Sequence, residues 1–322
     1  MKRLSMLVAA GLLAVAAPSA AQDQAWPQHV VTVIVPFAAG GTTDMFGRIF
    51  SAEMQTKYGQ PFLVENKVGA GGTVGATAAA SAAKDGYVLL VGTASTHGIA
   101  PYMYKSLRYD AEKDFQPISL FAKVPNMLTV SNKLPVKTVK ELIDHAKANP
   151  GKLSFGSSGI GSSPHLAAEL FQAMAGVQLN HVPYKSSNEV TAALLGGEID
   201  MTFDNVTFAL PQAKAGTARG LGVTGPDRLP AAPEIPTIAE TLPGFDAQSW
   251  HGLFAPAGTP KPIVDQIAVE VKRIIDQPAV TAKLKEIGAE PAPMTPEAFA
   301  AFAAAERGRY REIVAKAGIA PQ

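Results

Sequence analysis

Val33-Ile-Val-Pro-Phe-Ala-Ala-Gly-Gly-Thr-Thr-Asp44 passes from a β-branched apolar run, through a glycine turn, into the polar opening of a helix-like stretch. The same grammar returns about 120 residues later in Phe155-Gly-Ser-Ser-Gly-Ile-Gly-Ser-Ser-Pro-His165. A strand that turns sharply into a helix leaves unpaired backbone N–H groups at the positive end of the helix dipole, and glycine lets a ligand approach that backbone closely. Both turns therefore read as anion cradles. Their distance apart in the chain places them on different lobes, with a small carboxylate gripped between.

Outward from the first cradle, strand-like and helix-like runs alternate: Val30–Val35, a helix from about Thr43 to Thr56, Phe62–Glu65, a small-residue helix near Gly72–Ala82, and Tyr87–Val91. The alternation resumes with Leu128–Val130, a helix from Val139 to Ala148, Leu153–Phe155, a helix from Pro164 to Ala175, Leu179–Val182, Glu189–Leu195, Ile199–Phe203 and Gly220–Val223. This pattern predicts an α/β fold of two units, each a doubly wound, mostly parallel sheet flanked by helices. Thr138-Val-Lys-Glu141 reads as a capping box, and Thr259-Pro260 and Thr295-Pro296 as N-cap and first-turn proline pairs. From Lys261 the chain is mostly helical, with Ile263, Ile267, Val271 and Ile274 on one face and Phe299, Phe302, Tyr310 and Ile313 on another. Crossings between lobes are expected near Ser119–Pro125 and Phe245–Pro256, so residues 22–122 plus 248–322 form the first lobe and residues 123–247 the inserted second lobe.

Residues 1–21 read as a secretory signal peptide: Lys2 and Arg3, an apolar run from Leu4 to Ala17, then Ser19-Ala20-Ala21 as a cleavage site, with the mature chain beginning near Gln22. The run is shorter than the ~20 residues that span a bilayer, and no later segment is long enough, so the protein is not expected to be membrane-embedded. With no cysteine, disulfides, thiolate metal sites and a lipidated cysteine anchor are excluded, and the simplest location is the periplasm. Beyond the leader 26 basic residues face 27 acidic ones, a balance that argues against nucleic acid and makes any anion site local.

Gly40, Gly41, Thr42 and Thr43 are the candidate donors of the first cradle, and Ser157, Ser158, Gly161, Ser162 and Ser163 those of the second, with Pro164 at a first helical position and His165 within a turn of the cradle. Ser95, Thr96 and His97 follow a third strand end, where open α/β sheets place ligand contacts. Tyr184 and Asp204-Asn205 follow further strand ends. Asp204 reads either as a partner for a ligand ammonium or as a cap of the helix that follows. Asp44 is assigned to its own helix's first turn, and His29, His145, His181 and His251 show no metal spacing and are read as structural, so no metal or cofactor is expected. Neither cradle carries an arginine, and none is needed. Four or five hydrogen bonds to a charged group supply roughly 8–12 kcal/mol before association costs, whereas a micromolar complex requires about 8.

Enzymatic readings fit poorly. No Gly-x-Ser-x-Gly frame surrounds Ser158 or Ser163, Ser162 stands where a phosphate-binding loop needs lysine, and valine fills the third glycine slot of a dinucleotide turn in Gly69-Ala-Gly-Gly-Thr-Val-Gly75.

Trp26-Pro27, Val33 to Asp44, Val64-Glu-Asn-Lys-Val-Gly-Ala-Gly-Gly72, Asp85-Gly-Tyr87, Ser162-Ser-Pro-His-Leu166, His181-Val-Pro-Tyr-Lys185, Leu195-Gly-Gly-Glu-Ile-Asp200, Phe203-Asp-Asn205 and Pro236-Thr-Ile-Ala-Glu240 together resemble the Bug-type substrate-binding receptors of tripartite tricarboxylate transporters, across essentially the whole mature chain. The resemblance implies a two-lobed Venus-flytrap periplasmic binding protein that captures a small organic acid, with a membrane permease as partner. It also implies that the loop after the first strand and the serine-glycine loop contact the ligand carboxylate, partly through ordered waters. Val68, Ser186-Ser187 and Thr207-Phe208 depart from the family pattern, so a dicarboxylate, an aromatic acid and an amino acid all stay open as ligand. A sensory adaptor that presents the bound acid to a signalling receptor is the alternative role.

Overall fold

A computed structural model describes residues 26–321. The leader read in residues 1–21 lies outside the described residues. From β1 (Val31–Val35) the chain runs through α1 (Thr42–Tyr58), β2 (Phe62–Asn66), α2 (Thr73–Ala80), β3 (Val88–Thr93), α3 (Ala100–Met103) and β4 (Phe115–Val124). It crosses at Pro125 into β5 (Asn126–Ser131), α4 (Val139–Ala148), β6 (Ser154–Ser157), α5 (Ser163–Ala175), β7 (Asn180–Pro183), α6 (Ser187–Gly196), β8 (Met201–Asn205), α7 (Val206–Lys214) and β9 (Ala218–Val223). A proline-rich loop then returns it to β10 (Ser249–Pro256), α8 (Lys261–Ile275), α9 (Pro278–Glu286), β11 (Glu290–Pro291) and α10 (Pro296–Lys316).

The strands form two sheets, ordered β11-β4-β10-β3-β1-β2 in the first lobe and β7-β6-β8-β5-β9 in the second. The two-lobed α/β architecture is the expected one, but the sheets are mixed rather than mostly parallel. Four pairings are parallel, β1 with β2 and β3 and β6 with β7 and β8, while β10 runs antiparallel to both β3 and β4, β11 to β4, and β5 to both β8 and β9. The cause is the double crossing: β4 carries the chain out of the first sheet and β10 brings it back, so the two lie side by side in opposite directions.

Local chemistry sets the helix ends. Thr138 Oγ1 accepts from the Glu141 N–H at 3.1 Å, and the Glu141 carboxylate accepts from the Lys137 N–H, so the reciprocal arm reaches one residue further than a capping box requires. Thr295 caps α10 as expected. Thr259 does not cap α8: its hydroxyl donates back to the Pro256 carbonyl and Pro260 takes the cap position. No described helix is long and apolar enough to cross a membrane.

Two layers of helix cover the first sheet. Val264, Ile267, Val271 and Ile274 of α8 are fully buried in the cluster that holds Phe50 and Phe121, with Ile263 packed at its margin. On the opposite face α10 buries Phe299 and Tyr310. There Trp250 meets Phe299 and Phe302 edge-on at ring-centre distances of 5.9 and 5.8 Å. Such aromatic pairs each add about 0.5–1.5 kcal/mol beyond area burial.

Candidate ligand-binding cleft

The C-terminal ends of β1, β6, β7 and β8 each deliver the chain into a helix, α1, α5, α6 and α7 respectively. All four helix N-termini meet at one small cavity of about 40 Å³ between the lobes, lined by Gly41, Thr42 and Thr43, by Ser163 and Pro164, by Ser186, Ser187 and Asn188, and by Asn205. Phe37, Ala38, Thr93, Ser95, Ser158, Ser249 and His251 complete the wall. No lysine, arginine or carboxylate lines it. The first N–H groups of a helix have no intrahelical acceptor and carry the positive end of the dipole, so the cavity is electropositive through its backbone. Its volume suits a carboxylate head or two to three waters.

Hydrogen bonds join the lobes around this point. The Ser163 N–H donates to Ser95 Oγ at 3.0 Å, Thr42 Oγ1 and Thr207 Oγ1 lie 2.5 Å apart, and the Tyr104 hydroxyl donates to the Ile160 carbonyl at 2.9 Å. Gly71 presses still closer: a Cβ there would stand 2.5 Å from the Ile160 oxygen. The conformation is closed.

Of the residues expected from the sequence, the fold brings Gly41, Thr42, Thr43, Ser95, Ser158, Ser163 and Asn205 to the cavity. Others stand just behind it and support the loops. The Gly40 N–H is taken by Asp44 Oδ2 at 2.8 Å and the Gly41 N–H faces the Ala38 carbonyl at 3.3 Å, so the first cradle's free amides begin at Thr42 rather than at Gly40. Burial alone would raise the Asp44 carboxyl, but hydrogen bonds from Arg48, the Gly40 N–H and Asn66 outweigh it and hold it below its usual range. In the second cradle Ser162 caps α5 through the His165 N–H, the Gly161 N–H donates to His165 Nδ1 at 3.2 Å, and Ser157 Oγ lies 2.6 Å from His181 Nε2. His165 and His181 stack at 4.2 Å beneath the loop. Asp204 lies one layer under the wall, accepting from the Ser187 hydroxyl at 2.9 Å.

Thr96 and His97 are not brought to the cavity. A π-helical turn at Ala94–Ile99 follows β3 and directs Ser95 at the cleft while turning His97 into the core. There its ring stacks on Phe254 at 3.9 Å, and burial with the Arg307 charge lowers it to about 3. Thr96 Oγ1 is engaged by the Thr93 N–H and by His97 Nδ1. Tyr184 faces a neighbouring hollow instead.

Sequence reasoning missed several wall residues. Ser186 to Asn188 carried a readable signal, because Ser186 and Glu189 have capping spacing and Ser186 Oγ does accept from the Glu189 N–H at 3.2 Å. Ser249 and His251 carried none: they reach the site from β10, which no local pattern relates to it. His251 is buried beside Thr43, 3.4 Å from its Oγ1, and burial lowers it to about 3, which makes it a neutral wall residue.

The model of the tripartite tricarboxylate transporter family receptor, TctC, matches residues 46–319. Protein BugT of Bordetella pertussis is 34% identical over 306 residues, which cover 94% of this chain and 93% of BugT. Among solved structures, R. palustris Rpa4515 with adipate is similar at a TM-score of 0.89 and 39% identity, over 92% of this chain and 100% of its own. MatC from Rhodopseudomonas palustris with bound malate is similar at a TM-score of 0.85 and 35% identity, over 90% of this chain and 100% of its own.

Proposed function

Because the chain belongs to the tripartite tricarboxylate transporter receptor family, we propose that it is a periplasmic receptor that closes its lobes on a small carboxylate and delivers it unaltered to the membrane permease of such a transporter. The observation that carries this reading is the meeting of four helix N-termini at a cavity with no charged side chain in its wall. The carboxylate sits against the amides of Thr42, Thr43 and Ser163 and the hydroxyls of Ser95 and Ser158. Hydrogen bonds to an ionised acceptor are worth about 1.5–3 kcal/mol each, so a handful hold the acid without an arginine clamp. Neutral donors also let it go when the lobes part, as a receptor that must unload requires.

Binding draws the lobes together about the two crossings, near Pro125 and between residues 224 and 249. Across the lobes the Ser163 N–H donates to Ser95 Oγ. An incoming carboxylate oxygen replaces that hydroxyl, so one polar contact is exchanged rather than created. The reading is supported by relatives with bound adipate and malate, both dicarboxylates.

Isothermal calorimetry against adipate and malate tests it. A dissociation constant near micromolar or below, about −8 kcal/mol, is the expected result, with Ser158→Ala weakening binding by about tenfold or more at an unchanged melting temperature. No heat of binding at millimolar acid rejects the receptor assignment. Full affinity in the Ser158 variant moves the site away from the second cradle.

A further inference from the structure

A second hollow of about 200 Å³ opens beside the carboxylate cavity and shares with it the walls made by Phe37 and Ser158. Its character is opposite. The first cavity is ringed by hydroxyls, amides and helix N-termini, whereas this annex is walled by the side chains of Phe37, Val68, Ile160 and Tyr184 and by the backbone of residues 69–72. Its walls are braced. The Phe37 carbonyl accepts from Asn66 Nδ2 at 2.9 Å, the Phe37 ring lies over Gly72 so closely that a Cβ there would stand 3.1 Å from it, and the Ile160 carbonyl is held by Tyr104.

Lys185 stands at the rim of the annex, exposed to solvent. Glu189, four residues on, directs a carboxylate oxygen to the Lys185 backbone N–H at 3.0 Å. Among the described residues no ion pair engages the Lys185 ammonium. A polar cavity, an apolar annex and a cation at its mouth thus follow one another along the cleft.

The geometry points to a ligand in three parts: a carboxylate in the small cavity, an unsubstituted apolar body of several carbons in the annex, and a second anionic group at the rim against Lys185. This names the substrate class of the receptor reading and rests on it. A short hydroxylated diacid fills only the first part, because its chain stops short of the annex and leaves the apolar wall of Phe37, Val68 and Ile160 wet. Each methylene taken out of water improves affinity by about fourfold. The exposed distal pair adds less, about two- to fivefold, so the apolar body decides size selection and Lys185 decides between diacid and monoacid.

Calorimetry with succinate, malate, pimelate and heptanoate separates these contributions. Pimelate and heptanoate share a seven-carbon chain and differ in the distal charge; succinate and malate keep both charges and lack the body. Pimelate is expected to bind at least tenfold tighter than succinate or malate, with heptanoate about two- to fivefold weaker than pimelate. Lys185→Gln should erase the difference between pimelate and heptanoate and leave succinate unchanged, and Tyr184→Ala should weaken both long acids alone; the unchanged succinate affinity certifies the fold of each variant. Malate or succinate binding as tightly as pimelate overturns the inference, as does a Lys185 variant that keeps the preference for pimelate over heptanoate. Binding of malate with no response to chain length leaves the receptor reading standing and removes this one, whereas silence from all four acids removes both.

Discussion

Asp204 is buried one residue before a wall residue of the ligand cavity, and its Oδ1 accepts from the Ser187 hydroxyl and the Asn205 N–H while its Oδ2 has no partner among the described residues. Burial raises its carboxyl to about 6, with the two hydrogen bonds opposing. At neutral pH a negative charge therefore lies beneath the proposed anion site, where it would repel a carboxylate. Below about pH 6 the folded protein takes up the proton and the repulsion disappears, so carboxylate affinity should rise as pH falls from 7.5 to 5.5. Asp204→Asn should bind on the order of fivefold tighter at pH 7.5 and lose that slope. Calorimetry at the two pH values checks this, and a wild-type affinity that weakens in acid sinks it. At this scale the sequence was readable where position followed local turn chemistry, which brings Thr42, Ser158 and Ser163 to the cavity wall. It was silent about His251, which arrives from a strand more than 200 residues from its neighbour Thr43. It was misleading at His97, because strand-end position does not reveal that the next turn is wide enough to rotate a histidine into the core.

Between elements, closure is limited by how near the loop before α2 comes to the loop before α5. Gly71 has a left-handed φ of 61°, and a Cβ there would overlap the Ile160 carbonyl across the lobes. Gly71→Ala adds about 1–2 kcal/mol of backbone strain, a modest loss of melting temperature, but it props the cleft open. Affinity should fall by about tenfold or more, and small-angle scattering should show the liganded variant to be more extended than the liganded wild type. Identical dimensions would mean that the loops yield without cost. Helices were legible to within a residue or two because caps and apolar periodicity are local, as α4 and α5 illustrate. Strand direction was not: the antiparallel pairing of β4 with β10 joins segments more than 100 residues apart, and only the order of the whole chain sets it.

For the molecule as a whole, three imidazoles are held neutral, His97 and His251 in the interior and His181 half-buried. Burial lowers His97 to about 3, aided by Arg307, and His251 to about 3, and burial with the neighbouring His165 lowers His181 to about 4. All three lie below the ordinary value of 6.5, so the unfolded chain takes up protons first. The stability they allow is complete above pH 6.5 and is lost progressively as pH falls toward 4. Asp204 acts in the opposite sense, one group against three. The melting temperature should drop between pH 7 and pH 4.5, and His97→Phe, which keeps a ring against Phe254, should flatten part of that drop. A midpoint indifferent to pH over this range would contradict the assignment. The four converging helix starts carry a wider implication. Because the proposed attraction for anions is written in peptide N–H groups that every residue type except proline possesses, a lineage can rewrite the surrounding side chains to suit a new metabolite without first losing its grip on acids, and diversification of cargo needs no intermediate that binds nothing.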